Sequence, residues 1–327
     1  MTSNKPVLGP QAIRWGFTIV EVLTVVALLG LLVSLIAPAV FSAREASRRT
    51  QCLNNQKQVA LAIQNHQHSF RLGPEADSLP RELATELEHR SDDLFEQLPP
   101  VWRCPAESLG GSVAAHSYLA CVGTGSFADR PVGEHWGDGV VVNPSGVGGL
   151  EQICRDEKIL DGTSNTLLIS ERLVTEFNED QIGTQMQGGG GRRPPRPRAV
   201  WFTDHPASDA DDFVVRCGSA DRYWPRWDPL YREGGRIAFS GEGFDCVGPP
   251  NSTACLDSPT ITTGPSGPNV WFTRSLNPAS SEHRQGVVAC RADGSGRFES
   301  DTIAIPVWRA LGTVAGHETI DGHGGAF

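Results

Sequence analysis

Four groups of residues in this chain have the types and spacing that chemistry requires. The first is a set of eight cysteines at Cys52, Cys104, Cys121, Cys154, Cys217, Cys246, Cys255 and Cys290. They contain no CxxC or CxxxxC pair, so the knuckle of a zinc ribbon is absent. The count is even, and in an oxidising compartment it predicts two or more disulfides, with buried free thiols as the alternative. The second group is Asp161, Asn165 and Glu171, hard oxygen donors suited to calcium. Their spacing matches no EF-hand loop, and Asp161-Gly162 followed by Thr163, Ser164, Asn165 and Thr166 reads equally well as a turn whose side chains bond nearby backbone. The third is His283 with Asp293-Gly294. An extended run between them would hold His283 and Asp293 about 25–33 Å apart, which makes Asp293-Gly294 a turn and His283 a cap or surface residue. The fourth is Glu21, the one charge between Phe17 and Phe41.

Other chemistries find no support. There is no G-x-S-x-G elbow and no H-E-x-x-H pair, and His116, His135 and His205 form no recognisable triad. His66 and His68 are two apart on a helical stretch and cannot share a face, which predicts that both meet solvent. No catalytic residue, no resident metal and no cofactor are expected, calcium at Asp161, Asn165 and Glu171 being the alternative. Asn251-Ser252-Thr253 is a glycosylation sequon. The formal charge of -10 argues against a nucleic-acid partner.

The elements that must position these residues begin with an apolar stretch, residues 17–41, long enough for a bilayer core of about 30 Å. A carboxylate inside such a stretch is costly and marks function. The helical pattern continues over residues 42–70 with a sparse stripe of Ala46, Leu53, Val59, Ala60, Ile63 and Phe70. Pro38 predicts a kink. Residues 79–98 suggest a short helix. Strands are predicted at SYLACVGTGSF, GVVVN, LDGTSNTLLISER, AVWFTD, DFVVRC, GRIAF and NVWFTRSL, and a hairpin over residues 286–300 turning at Asp293-Gly294. The Gly/Arg/Pro run 188–198 reads as a flexible surface loop, or as a docking site for an anionic polymer through Arg192, Arg193, Arg196 and Arg198.

Gly16-Phe17 followed by Glu21 resembles the N-terminus of type IV prepilins and type II secretion pseudopilins. Three further stretches resemble one group of prepilin-like bacterial proteins, a family of unknown function numbered 1559. They are AREASRRTQCLNNQKQVALAIQNH (43–66), DGTSNTLLISER (161–172, with Asp161, Gly162, Asn165, Thr166 and Glu171), and the H-x9-DG motif His283, Asp293, Gly294. Residues 307–318 are similar to the family's closing segment, with His317 where a second glycine is usual. The resemblance implies an α+β, pilin-like fold: a long N-terminal helix, transmembrane in its first half, packed on an antiparallel sheet with large loop insertions. It implies a basic leader, 1–16, cleaved after Gly16 by a prepilin peptidase that methylates Phe17. It implies a transmembrane and assembly helix at 17–41, its extension at 42–70, and an exported β-rich head at 71–327. Removing the leader would take Lys5 and Arg14 with it and leave a formal charge of about -12.

The function implied is that of an inner-membrane, single-pass subunit with an extracytoplasmic head. It would assemble with itself or with other pseudopilins through Glu21 and would have no enzymatic activity. The competing expectation is a membrane-tethered binding module for polysaccharide or a protein partner, with Trp102, Trp136, Trp201, Trp224, Trp227 and Trp271 as stacking platforms.

Overall fold

A computed structural model of the chain describes residues 18–70, 73–74, 79–84, 86–87, 99–107, 116–124, 138–142, 152–173, 199–203, 207–220, 222–225, 243–256, 260–264, 267–271 and 275–316. Gly16, Phe17, His135, Trp136, the Gly/Arg/Pro run, His205, Trp227 and GRIAF lie outside these residues. Contacts divide the chain into two compact units, Met1–Ala46 and Ser47–Phe327.

In the first unit, helix α1 (Ile19–Phe70) opens on a capping box. Thr18 donates its backbone N–H (2.8 Å) and its hydroxyl (2.9 Å) to the Glu21 carboxylate, and the Thr18 hydroxyl accepts the Glu21 N–H at 3.3 Å. The helix runs unbroken through Pro38. Its apolar residues here are exposed, and it holds an 18-residue window of mean hydropathy 2.7. It is one helix long and apolar enough to span a membrane, consistent with single-pass anchoring.

In the second unit, α1 turns a different face to its surroundings. Cys52, Gln56, Val59, Ala60, Ile63 and His66 recur at helical spacing and are all buried. Its amide side chains take backbone carbonyls on other segments: Asn55 that of Arg103 (3.0 Å), Gln56 that of Val288 (2.9 Å), Gln64 that of Ala292 (2.7 Å) and Gln67 that of Cys154 (3.0 Å). His68 is exposed as expected, but His66 is buried, with its ring against Phe70 and Nε2 3.7 Å from Glu82. The expectation that both histidines meet solvent is corrected because only one lies on the polar face.

A short helix α2 (Leu79–Glu82) follows, and a 3-10 turn at Pro100–Trp102 leads into Cys104. The strands then come in chain order: β1 (Tyr118–Gly123), β2 (Val141–Val142), β3 (Gln152–Ile153), β4 (Leu167–Glu171), β5 (Ala199–Phe202), β6 (Arg222–Pro225), β7 (Gly243–Asp245), β8 (Ala254–Leu256), β9 (Thr260–Gly264), β10 (Gly267–Trp271), β11 (Ser275–Leu276), β12 (Gly286–Arg291) and β13 (Gly296–Ser300). Helix α3 (Ala210–Ser219) lies between β5 and β6, and α4 (Ile305–Gly312) follows β13.

The main sheet has the order β13-β12-β4-β1-β7. It is antiparallel except for edge strand β7, which runs parallel to β1, so the sheet is mixed. β1, β4 and β12 are buried at every residue, as strands covered on both faces must be. The Asp-Gly turns form as read: Gly162 and Gly294 have φ of 92° and 79°, the left-handed region that glycine enters at little cost. The second sheet has the order β11-β8-β5-β6. It shares a small core of Trp201, Phe213, Cys217, Val247, Cys255 and Leu276 with α3.

DFVVRC, expected as a strand, is part of α3. Asp209 caps this helix by accepting the Asp212 N–H at 2.8 Å, and Arg216 pairs with Asp212 one turn earlier at 2.8 Å. Trp102 and Trp201 are fully buried and are core residues, not stacking platforms. The cysteines form one bridge, Cys217–Cys255, where two or more were expected. The other six are buried thiols. Among them, Cys121 and Cys246 have their sulfurs 3.7 Å apart without a bond between them.

Candidate functional site

Each of the three long stretches singled out in the sequence delivers one side chain to the same buried point. Cys52 comes from the inner face of α1, Glu171 from the last residue of β4, and His283 from the segment between β11 and β12. A fourth, Cys104, comes from the turn after Trp102. Their relative exposures are 0% for Cys52, 7% for Cys104, 1% for Glu171 and 2% for His283. One donor atom from each lies within 4.8 Å of all the others. His283 is therefore neither a cap nor a surface residue. It reaches the interior from the 277–285 segment, which precedes β12; β12 itself runs extended toward Asp293, as expected.

Glu171 Oε1 is the centre of the arrangement. It accepts from the Cys52 thiol, lies 3.1 Å from Cys104 Sγ and 3.3 Å from His283 Nε2. Cys104 Sγ is 3.4 Å from His283 Nε2. A ring of donors surrounds these four groups. The Val288 N–H donates to Glu171 Oε2 at 2.9 Å, and the Tyr118 hydroxyl donates to Cys52 Sγ at 3.4 Å. Gln56 Nε2 reaches Cys52 Sγ at 3.9 Å. The backbone N–H of Ala106 faces the Cys104 sulfur.

The local folding explains the placement. In the β1–β4 register Tyr118 stands opposite Glu171, at the end of the ladder where side chains of both strands reach α1. Gln56, one helical turn after Cys52, bonds to β12 and fixes the rotation of α1 over the sheet. Several bonds hold the His283 segment. Ser280 donates its N–H to the Glu171 carbonyl at 2.9 Å. Ser281 N–H donates to Asn251 Oδ1 at 2.8 Å. Arg49 Nη2 donates to the Arg284 carbonyl at 2.7 Å. Asn251 supports this by adopting φ 59° and donating to the Gly286 carbonyl at 3.2 Å, so the amide of the sequon is engaged in the fold.

The electrostatics are those of a tightly coupled set. Burial opposes the charge on Glu171, but His283 beside it, with the Cys52 and Ser281 hydrogen bonds, holds its carboxyl below the usual range. His283 is likewise opposed by burial, yet Cys104 and Glu171 push it up to about 10. The hydrogen bond with Cys52 and the one with His283 lower the Cys104 thiol against the cost of burial. Cys52 is pushed well up by burial and by its acidic neighbours. Two thiols, an imidazole and a carboxylate can together hold a cation or a network of shared protons. With every member buried, they present no open face to a substrate.

The other sequence candidates do not join this set. The Asp161 carboxylate accepts from Thr313 Oγ1 (3.2 Å) and Gly316 N–H (2.7 Å), while Asn165 Nδ2 donates to the Asp161 carbonyl at 3.1 Å. Asp161 thus ties down the segment after α4, and the Glu171 carboxylate is engaged elsewhere. The three calcium candidates are not gathered around one point. Thr166 Oγ1 lies 3.2 Å from the Gly162 carbonyl, inside the turn, and Asp293 Oδ1 accepts the Ser295 N–H at 2.8 Å, inside the hairpin.

Residues 41–86 and 76–305 match the model of a family described as a protein of unknown function, DUF1559. The chain belongs to this family. All four residues of the buried cluster lie within the matched region of this DUF1559 protein, whereas Gly16, Phe17 and Glu21 lie before it. No match was found among curated proteins or among solved structures. Sequence reasoning took Cys52 and Cys104 only as disulfide or buried-thiol candidates, and Cys104 lay outside every stretch it singled out. Its stretch, CPAESLGG, reads as a turn, and the only signal was a cysteine followed by proline outside any regular element.

Proposed function

We propose that this DUF1559 protein is a pseudopilin-like subunit of the inner membrane, cleaved after Gly16, with its head on the extracytoplasmic side. One observation carries the reading: an exposed apolar helix whose only charge before Phe41 is Glu21, in the first turn. In the single subunit the Glu21 carboxylate is satisfied by Thr18. On assembly it would exchange that local cap for the Phe17 amine of a neighbouring subunit. Two opposite charges would then meet in a medium of low dielectric, where a mismatched register leaves both uncompensated. Glu21 is in this reading a device that sets helical register, and the partners are a prepilin peptidase and other pilin-like chains. No enzymatic activity is assigned to it.

The test is the mass and N-terminal sequence of the protein recovered from its native membrane. A chain starting at N-methyl-Phe17 supports processing, and one starting at Met1 or Thr2 overturns it. Glu21→Ala is expected to leave membrane insertion intact and to abolish cross-linkable assemblies. Unchanged assembly would remove Glu21 from the mechanism.

A further inference from the structure

We propose that Cys52, Cys104, Glu171 and His283 bind one zinc ion, which clasps the second half of α1 to the main sheet. The donor set is two thiolates, one imidazole and one carboxylate, and it suits a borderline-soft tetrahedral cation and not calcium or magnesium. Metal–ligand bonds of about 2.0–2.3 Å in a tetrahedron put neighbouring donors about 3.3–3.8 Å apart. His283 Nε2 to Glu171 Oε1 at 3.3 Å and to Cys104 Sγ at 3.4 Å fall in that range, and Cys104 Sγ to Glu171 Oε1 at 3.1 Å is close to it.

The surroundings are those of a metal site. Sulfur ligands are commonly met by N–H and O–H donors that temper their charge and fix their direction. Here Tyr118 and Gln56 serve Cys52, Ala106 N–H serves Cys104, and Val288 N–H occupies the second oxygen of Glu171. All four positions come from the protein and all are buried, which is the pattern of a closed structural site and not of a catalytic one with an open position. The residues are far apart in sequence: Cys52 and Glu171 by 119 residues, Cys104 and His283 by 179. The ion therefore joins four chain segments that no local element connects. Binding replaces the thiol protons, so the two cysteines are held as thiolates and withheld from oxidation to each other.

The experiment uses the full-length protein in detergent, purified without chelator and, in parallel, stripped and reloaded with zinc alone under anaerobic reducing conditions. Elemental analysis is expected to give about one zinc per chain, and zinc-edge X-ray absorption about two sulfur neighbours and two nitrogen or oxygen neighbours. Cys104→Ser and His283→Ala should each lose the bound zinc, and Cys154→Ser, at a buried cysteine outside the set, should retain it. Tyr118→Phe, which keeps the ring and the four ligands, should weaken zinc affinity by about 10–100-fold. The X-ray absorption measurement is made on the unaltered chain and so stands even if a variant fails to fold. Less than a tenth of a zinc per chain after reloading, a shell without sulfur, or a Cys52–Cys104 disulfide in the unreduced, freshly isolated protein would each overturn the proposal.

Discussion

The two larger sheets of the second unit use the same amino acid in opposite ways. Around the smaller sheet, Cys217 of α3 and Cys255 of β8 are joined directly. The bond needs two residues and no charge, and its neighbours are apolar: Trp201, Phe213, Val247 and Leu276. Around the main sheet, Cys52 and Cys104 are not joined to each other but are drawn together with an imidazole and a carboxylate. The first arrangement works by restricting the unfolded chain, and the second by compensating buried charge in the folded one. A region fastened in the first way tolerates loss of its polar neighbours. A region fastened in the second way is sensitive to every member.

The largest expected effect comes from breaking the second arrangement. Removing one partner of a buried, hydrogen-bonded charge pair costs about 3–5 kcal/mol, so His283→Ala should lower the stability of the full-length protein by that amount in urea titrations followed by tryptophan fluorescence. A midpoint within error of the parent would show that the cluster fastens nothing. Next comes the disulfide. With a sequence separation of 38 residues, the chain-entropy treatment gives about 3–4 kcal/mol. Cys217→Ser with Cys255→Ser should lose this, with faster hydrogen exchange confined to α3 and the β11-β8-β5-β6 sheet. If the main sheet also loosens, the two regions are not independent.

Smaller effects sharpen the contrast. Asn251 sits between the two regions and holds the His283 segment through two hydrogen bonds in a left-handed conformation. Asn251→Ala should cost about 1–3 kcal/mol, and hydrogen exchange should rise in residues 277–285 before it does elsewhere. The smallest change is expected at Arg49, whose guanidinium lies 4.0 Å from the Phe298 ring centre and bonds to the Arg284 carbonyl. Arg49→Met keeps the aliphatic stem and should cost about 0.5–1 kcal/mol. A double-mutant cycle with Phe298→Leu measures the share due to the ring, and a coupling near zero would assign the effect to contacts other than the ring.

Much of the fold was legible because its signals are local. The apolar run that opens α1, the stripe of Val59, Ala60 and Ile63, and the Asp-Gly turns at 161–162 and 293–294 are each set by neighbours within a few residues. α3 misled for a local reason too. Phe213, Val214 and Val215 favour a strand on their own, and only the Asp209 cap and the Asp212–Arg216 pair tip the segment to a helix. The edge strand β7 could not be foreseen as parallel, since its direction depends on a connection far longer than a turn.

The sequence by itself determined an apolar N-terminal helix with one carboxylate in its first turn, an α+β body, and three stretches worth attention. It determined these because helical period, hydropathy and turn conformation are properties of adjacent residues. Only the tertiary structure decided that Cys52, Glu171 and His283, one from each stretch, meet Cys104 at a single buried point. That meeting depends on the rotation of α1 over the sheet, the register of β1 against β4, and the bond that ties the segment after β11 to the end of β4. Each is fixed by packing between residues tens to hundreds of positions apart, a distance over which sequence spacing carries no geometric information.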